Sequence, residues 1–164
     1  MKTKATLLLF ALLSSMITAT AQKDDKAAIM AVIEKETSAF LNVDKKAWND
    51  SWVQAPHAYW SYSDSTGTNF IEGWESISKY FEEYFKTNQS SRVIDVAHQS
   101  EPLQIERTWK DIRIYGNGAF AHYIQRVKDT KINRDETSQI RVLEKKDGKW
   151  KVVCVGAIAN YPKD

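Results

Sequence analysis

Four successive stretches in the second half of the chain have the pattern of β-strands, and they set the narrowest limit on its fold. They span residues 104–115, 119–128, 137–146 and 150–159, and the first is a candidate for a β-bulge. Gly116-Asn117-Gly118 separates the first two stretches, and Asp147-Gly148, the strongest hairpin signal in the chain, separates the last two. We therefore expect a run of antiparallel strands joined mostly by short turns.

The first half of the chain carries helix signals. Apolar residues at helical spacing after Asp24 predict a helix over about residues 25–41. Asp44 can cap a short second helix that continues through Trp52 and stops before Pro56. A small hairpin follows, with strands at 57–62 and 68–71, and then an amphipathic helix from 74 to about 88–91. Helices followed by antiparallel strands predict an α+β fold, with helices packed on one face of a curved sheet.

The first 21 residues have the form of a secretory signal peptide. A basic start at Lys2 and Lys4 precedes an apolar run that is too short to span a bilayer comfortably, and small residues end at Ala21. We expect cleavage after Ala21, a secreted or periplasmic protein without a membrane span, and one domain over residues 22–164.

Charge and cysteine content exclude several classes of function. The net charge of +2 comes from Lys2 and Lys4, so the expected mature chain is neutral and has no electrostatic reason to bind nucleic acid. Cys154 is the only cysteine, so no internal disulfide is possible, and its apolar surroundings favour burial as a small hydrophobe. The three His residues have no recurrent ligand spacing, so we expect no metal site, and without a phosphate-binding Gly loop or a dinucleotide fingerprint we expect no cofactor.

Four short segments, in this order and spacing, resemble the nuclear transport factor 2-like superfamily. The nearest branches are the SnoaL-like and the calcium/calmodulin-dependent kinase association-domain-like proteins, and the match covers about residues 25–161. The segments are Asn42-Val43-Asp44-Lys45-Lys46-Ala47-Trp48, Ile71-Glu72-Gly73-Trp74-Glu75-Ser76-Ile77, Asp111-Ile112-Arg113-Ile114-Tyr115-Gly116-Asn117-Gly118-Ala119 and Asp147-Gly148-Lys149-Trp150-Lys151-Val152-Val153.

The resemblance implies a cystatin-like, cone-shaped half-barrel, in which a curved antiparallel sheet wraps the N-terminal helices and encloses a pocket. It also implies a homodimer formed through the outer face of the sheet. The superfamily includes isomerases, dehydratases and cyclases as well as ligand binders and association modules, so the fold does not decide the function. Related association-type domains often carry alternating His residues where this chain has Cys154 and Gly156. We therefore expect a polar pocket floor to be missing here.

The predicted hairpin and the central strands supply the candidate ligand-binding residues. Aromatic side chains with polar tips suit a small-molecule site, although they are also ordinary strand formers. A His and two Arg on facing strands can bind a carboxylate or phosphate. Alternatively, they can form cross-strand pairs with Glu106, Asp129 or Glu144. The candidates are Trp52, Tyr59, Trp60, His122, Tyr123, Arg126 and Arg141.

Two carboxylates are candidate catalytic bases. Glu36 lies on the apolar stripe of the first helix, so its carboxylate either reaches solvent at the edge of the stripe or faces the interior of the domain. Glu106 lies on the first long strand, and Tyr59, His122 and Tyr123 are possible hydrogen-bond donors to an enolate oxygen. No family catalytic motif maps onto these positions.

The sequence thus predicts a secreted or periplasmic domain that binds a small molecule in an aromatic-lined pocket. The alternatives are an isomerase, dehydratase or cyclase with a pocket carboxylate as base, or a protein-association module. The missing catalytic motif weighs against an enzyme.

Overall fold

The computed structural model describes residues 24–96, 104–128 and 133–159, so the predicted signal peptide lies outside the described residues. Helix α1 spans residues 24–41. The other elements are α2 (Lys45–Asp50), β1 (Tyr59–Asp64), β2 (Gly67–Glu72), α3 (Trp74–Val96), β3 (Gln104–Tyr115), β4 (Gly118–Lys128), β5 (Asn133–Lys146) and β6 (Lys149–Ala159). Across these ranges, no helix is both long and apolar enough to cross a bilayer.

The six strands form one curved, unclosed sheet, which confirms the predicted α+β half-barrel. The strand order is β2-β1-β6-β5-β4-β3, and every neighbouring pair is antiparallel except β1 with β6. The pairing register shifts between Trp109 and Asp111 in β3, between Arg126 and Val127 in β4, and between Val142 and Leu143 in β5. Such bulges bend strands, so they contribute to the curvature.

Two local signals act as the sequence predicts, one at the start of a helix and one at a hairpin turn. The Asp44 carboxylate accepts a hydrogen bond from the Ala47 N–H at 2.9 Å and caps α2. Asp147 and Gly148 both have positive φ, 51° and 74°, as a tight hairpin turn between β5 and β6 requires.

Several predicted boundaries are wrong, among them the start of β5, which begins at Asn133 rather than at 137. His57 precedes β1, because the Ala58 N–H donates to the Ala55 carbonyl and closes a turn around Pro56. Helix α2 ends at Asp50 rather than continuing through Trp52. Helix α3 continues to Val96, past the polar stretch 88–91 at which we expected it to end. That stretch contains neither Gly nor Pro, and polar residues cost a helix only a few tenths of a kcal/mol each.

A core of aromatic and aliphatic side chains fills the space between the helices and the sheet. The Phe40 ring stacks on Tyr84 with centroids 4.6 Å apart, and the Trp48 ring lies 5.2 Å from Phe81. We call the side of the sheet that faces this core the concave face and the opposite side the convex face. Buried concave residues include Ala119, Ala121, Tyr123, Leu143, Val152 and Val155.

Candidate functional site

The carboxylate of Glu36 lies inside the domain. The side chain projects from the apolar face of α1, and the residue is 5% exposed. Its Oε1 accepts a hydrogen bond from the Trp48 indole at 3.1 Å, and its Oε2 contacts the Thr37 hydroxyl at 3.4 Å. Of the two alternatives for this carboxylate, the structure therefore shows the interior one.

Arg141 is the ionic partner of Glu36. It projects from the concave face of β5, and its Nη2 lies 3.5 Å from the Glu36 Oε2. Its Nη1 donates to the Gln139 side-chain oxygen at 2.8 Å and to the Ile140 carbonyl at 3.0 Å. Because both ions are almost fully buried, removing either one would leave the other without a counter-charge.

Tyr123 stands beside this ion pair, between two guanidinium groups. The Cζ atoms of Arg107 and Arg141 lie 5.8 and 5.7 Å from the centroid of its ring, and the Trp109 ring lies 4.8 Å away. Burial raises the pKa of Tyr123 and the Glu36 charge raises it further, whereas the two guanidinium charges and the closeness of Arg107 to the phenol oppose the shift. The phenol is therefore neutral at physiological pH and can both donate and accept a hydrogen bond.

Several buried polar atoms here have no hydrogen-bond partner among the described residues. They are Nε and Nη2 of Arg107, Nε of Arg141, the Tyr123 hydroxyl and Oε1 of Gln125. A buried polar group left unpaired costs about 1–3 kcal/mol, so native proteins rarely leave several together. We call Glu36, Arg107, Tyr123, Gln125, Gln139 and Arg141 the interior polar cluster. Its unpaired atoms have the capacity to hydrogen-bond a guest molecule or water.

Of the seven predicted ligand-binding residues, Tyr123 and Arg141 belong to this cluster. Trp60 also faces the interior, but it packs against α3, with its ring 5.1 Å from Phe81. Trp52 is fully buried in the core, 5.6 Å from the Trp48 ring.

The other three, Tyr59, His122 and Arg126, lie on the convex face. The hypothesis that His122, Arg126 and Arg141 bind one anion together is wrong. His122 is opposite Ile140 in the register, and successive residues alternate between faces, so Arg141 points to the other side.

The convex-face residues find partners of their own. Arg126 forms a cross-strand ion pair with Glu136 at 2.6 Å, and His122 lies 3.2 Å from the Ser138 hydroxyl. The predicted type of interaction for Arg126 is thus present, with a different acid. Asp129, one of the predicted partners, lies outside the described residues, and Glu144 contacts His57 at 3.1 Å.

Glu106, the second candidate base, is exposed on the convex face opposite Arg126. It therefore lies on the other side of the sheet from the interior polar cluster.

The expectation that Cys154 and Gly156 would line the pocket floor is wrong. Cys154 is opposite Val142 and Tyr59, and a Cβ at Gly156 would meet Ile140 and Ser61, so both positions belong to the convex face. Losing His residues there removes nothing from the interior, whose polar groups come from α1, β3, β4 and β5. Burial raises the pKa of the Cys154 thiol, with Arg141 opposing, so the thiol is protonated at neutral pH.

Sequence reasoning missed Arg107, Gln125 and Gln139 as site residues. A signal for them exists: they share strand faces with residues that the alternation places in the interior, such as Ala121 and Leu143. Glu36 on an apolar stripe was a second signal, because a buried carboxylate needs a cationic partner. Within the described ranges, no group of three His, Cys, Asp or Glu side chains could hold a metal ion.

No family model and no curated protein matches the chain in sequence, but solved structures match its fold. A putative calcium/calmodulin-dependent protein kinase type II association domain from Thiobacillus denitrificans superimposes with a TM-score of 0.58 at 10% identity, covering 80% of this chain and 94% of that one. An NTF-2-like protein of unknown function from Shewanella oneidensis gives 0.59 at 15% identity, covering 81% and 98%. A cystatin-like domain of unknown function from Nostoc punctiforme gives 0.56 at 13% identity, covering 84% and 78%.

Proposed function

We propose that this chain, which has the nuclear transport factor 2-like fold, binds a small, partly apolar molecule against its interior polar cluster. The observation that carries the proposal is the set of buried hydrogen-bonding atoms on Arg107, Tyr123, Gln125 and Arg141 that have no partner among the described residues. A domain that needed only a stable core would be better served by apolar side chains at these positions.

The surroundings of the cluster suit a small organic ligand. Trp109 lies against Tyr123, and Ile112 and Ile114 pack on the core from the same strand. Small-molecule sites combine an apolar and aromatic lining with a few convergent polar groups that fix the orientation of the ligand. The interior polar cluster and its neighbours have this composition.

A thermal-shift screen of the purified protein against metabolites tests the proposal. A ligand that binds only the native state stabilises it by about 2.7 kcal/mol at a hundredfold excess over its Kd. Tyr123→Phe removes one unpaired hydroxyl from the cluster and should reduce the shift, whereas Arg126→Gln on the convex face should preserve it. Hits that are equally strong in wild type and Tyr123→Phe would place binding elsewhere, and a screen without hits would contradict the proposal.

We also propose that the protein is exported and that residues 1–21 are removed. The support is the basic, apolar and small-residue order of this segment. Cell fractionation with mass spectrometry of the mature N-terminus should find the protein outside the cytoplasm and starting at Gln22. Deleting residues 5–17 should retain it inside, and an intact Met1 on exported protein would contradict cleavage.

A homodimer through the convex face is our proposal for its assembly. Phe70, Val142 and Ile158 are large hydrophobic residues exposed on this face, and one structural neighbour is described as an association domain. Light scattering after size-exclusion chromatography should show a dimer for wild type and a monomer for Val142→Lys. Thr66→Lys, in an exposed turn, is the control and should leave the dimer intact. A wild-type monomer at micromolar concentration would contradict this proposal.

An enzyme that uses Glu36 as a base is a second candidate function, because Glu36 is a buried carboxylate close to a neutral tyrosine. Both carboxylate oxygens already contact other groups, namely Trp48, Thr37 and Arg141, so proton abstraction would require one contact to loosen. Ligands found in the screen should be incubated with the protein and examined for conversion. Turnover that Glu36→Gln abolishes would support the enzyme, and ligands recovered unchanged would support the binder.

A further inference from the structure

We infer that the ligand is a singly charged organic acid whose carboxylate binds between Arg107 and Arg141. The inference deepens the proposed function and rests on it. It follows from the charge balance of the interior polar cluster, from the direction of the unpaired donors and from the side chains beside them.

The charge balance of the cluster leaves one positive charge in excess. The cluster holds two guanidinium groups and one carboxylate, and arginine keeps its proton at any physiological pH. Glu36 is paired with Arg141, and Arg107 has no acidic partner among the described residues. Arg107 is partly buried, with its Nε and Nη2 atoms shielded from solvent, so a single negative charge on the ligand would complete the cluster.

The unpaired atoms are mainly donors, and on Arg107 they form a fork. Nε and Nη2 of a guanidinium point in the same direction, which lets them bind both oxygens of one carboxylate. These are the two atoms of Arg107 that make no hydrogen bond of good geometry within the described residues, although Arg107 lies close enough to the Tyr123 hydroxyl to oppose the rise of its pKa. Two more donors lie nearby. They are the Tyr123 hydroxyl and Nε of Arg141, whose guanidinium lies over the Tyr123 ring as that of Arg107 does.

The neighbouring side chains indicate the body of the acid. Trp109 and Tyr123 offer ring surface next to the donors, so an aromatic or aliphatic group attached to the carboxylate can bury itself against them. A phosphate ester carries more negative charge than the single excess charge of Arg107 can balance. A monocarboxylate with an apolar tail therefore fits better.

Matched pairs of acids and amides test the inference. The acids are phenylacetate, 3-phenylpropionate and octanoate, the neutral controls are their primary amides, and phenyl phosphate is the doubly charged control. Titration calorimetry at constant ionic strength should show at least one acid that binds about tenfold to a hundredfold more tightly than its amide and than phenyl phosphate. Bound acid should also shift the Nε–H NMR signals of Arg107 and Arg141.

Arg107→Gln is the decisive variant, because Arg107 makes no described ion pair and its described neighbour is Tyr123, which a glutamine side chain can still contact. It should remove the preference for acid over amide while leaving the melting temperature of the ligand-free protein unchanged or higher. Arg126→Gln, which removes a convex-face arginine, should keep the full preference. A fall in the melting temperature of ligand-free Arg107→Gln would instead indicate a structural role for Arg107 and overturn the inference.

The other outcomes separate the inference from the proposed function. Amides that bind as tightly as the acids, or phenyl phosphate that binds more tightly, would overturn the carboxylate and leave the small-molecule site standing. If neither the acids nor any compound of the wider metabolite screen binds, both fail.

Discussion

The two faces of the sheet distribute their side chains in opposite ways. The concave face is covered by helices, yet it carries two arginines, two glutamines and a tyrosine, and it meets a buried glutamate. The convex face bears exposed Phe70, Val142 and Ile158. The same strands supply both faces by alternation, so the difference lies in the sequence and not in the backbone. Polar groups under cover suit a ligand, and apolar groups in the open suit a second protein surface.

The ion pairs of the two faces make this difference measurable. Glu36–Arg141 on the concave side has side-chain exposures of 7% and 5%, whereas Arg126–Glu136 on the convex side has 60% and 35%. Asp25–Lys145, at 25% and 29%, is intermediate. Burial decides what an ion pair contributes to stability, so these three should differ in a fixed order.

The largest effect should come from Arg141→Leu. It leaves the Glu36 carboxylate buried without its partner, and we expect a loss of about 3–5 kcal/mol in the free energy of unfolding, measured by urea denaturation. The double variant Glu36→Leu with Arg141→Leu should recover most of this loss. A single variant that loses less than about 1 kcal/mol would show that the interior is not a low-dielectric site.

The next largest effect should come from Trp48→Phe. The change removes the indole N–H that binds the Glu36 Oε1 at 3.1 Å, so the free energy of unfolding should fall by about 1–3 kcal/mol beyond the cost of the smaller ring. Trp52→Phe is the matched control, because Trp52 is equally buried but its Nε1 has no partner among the described residues. Equal losses in both variants would mean that the indole bond to Glu36 contributes nothing.

The Asp25–Lys145 ion pair predicts that the stability of the protein depends on pH. The Asp25 Oδ1 accepts hydrogen bonds from Lys145 at 2.6 Å and from Trp150 at 2.8 Å, and these bonds, with the lysine charge, hold the pKa of Asp25 below its ordinary value. A lowered pKa stabilises the folded state above the pKa of the unfolded state, about 3.9, and this contribution is lost as the pH falls through the folded value. Wild type should therefore be more stable than Asp25→Asn at pH 7, and the difference in the free energy of unfolding should be smaller than the loss expected for Trp48→Phe.

Denaturation curves of wild type and Asp25→Asn at pH 7, 5 and 3 check this. The difference between the two proteins should persist at pH 5 and shrink at pH 3. A gap that stays constant over this range would show that protonation of Asp25 does not matter for stability.

The smallest effect should come from Arg126→Leu. Its pair with Glu136 is exposed to solvent, so we expect a change of less than about 1 kcal/mol, and less still at high salt. Measured beside Arg141→Leu by the same urea denaturation, it provides the low end of the scale. A loss as large as that of Arg141→Leu would remove the contrast between the two faces.

Much of the fold could be predicted from local signals. The Asp44 cap, the Asp147-Gly148 turn and the strands of the second half act through neighbours along the chain, so the sequence displays them directly. The parallel pairing of β1 with β6 could not be predicted in this way, because its partners, such as Tyr59 and Cys154, lie far apart in sequence.

The site was harder to predict than the fold for one physical reason. Alternation separates a strand into two sets of residues, but it does not say which set faces the helices. His122 and Tyr123 were therefore equal candidates, and only the register with Ile140 and Gln139 and the burial of Tyr123 distinguish them. Arg107 could not be singled out from the sequence. Its proposed role depends on the lack of a carboxylate partner, and only the folded structure shows which side chains are neighbours.

The parallel pairing of β1 with β6 has a consequence for the order of events during synthesis. β6, the last described strand, lies in the middle of the sheet, between β1 and β5. The β1–β2 hairpin therefore has no sheet to join until the ribosome has released residues 149–159, and isolated two-stranded hairpins are marginal in water. We expect the nascent chain to lack a completed sheet until β6 has been synthesised, and then to fold in one cooperative step.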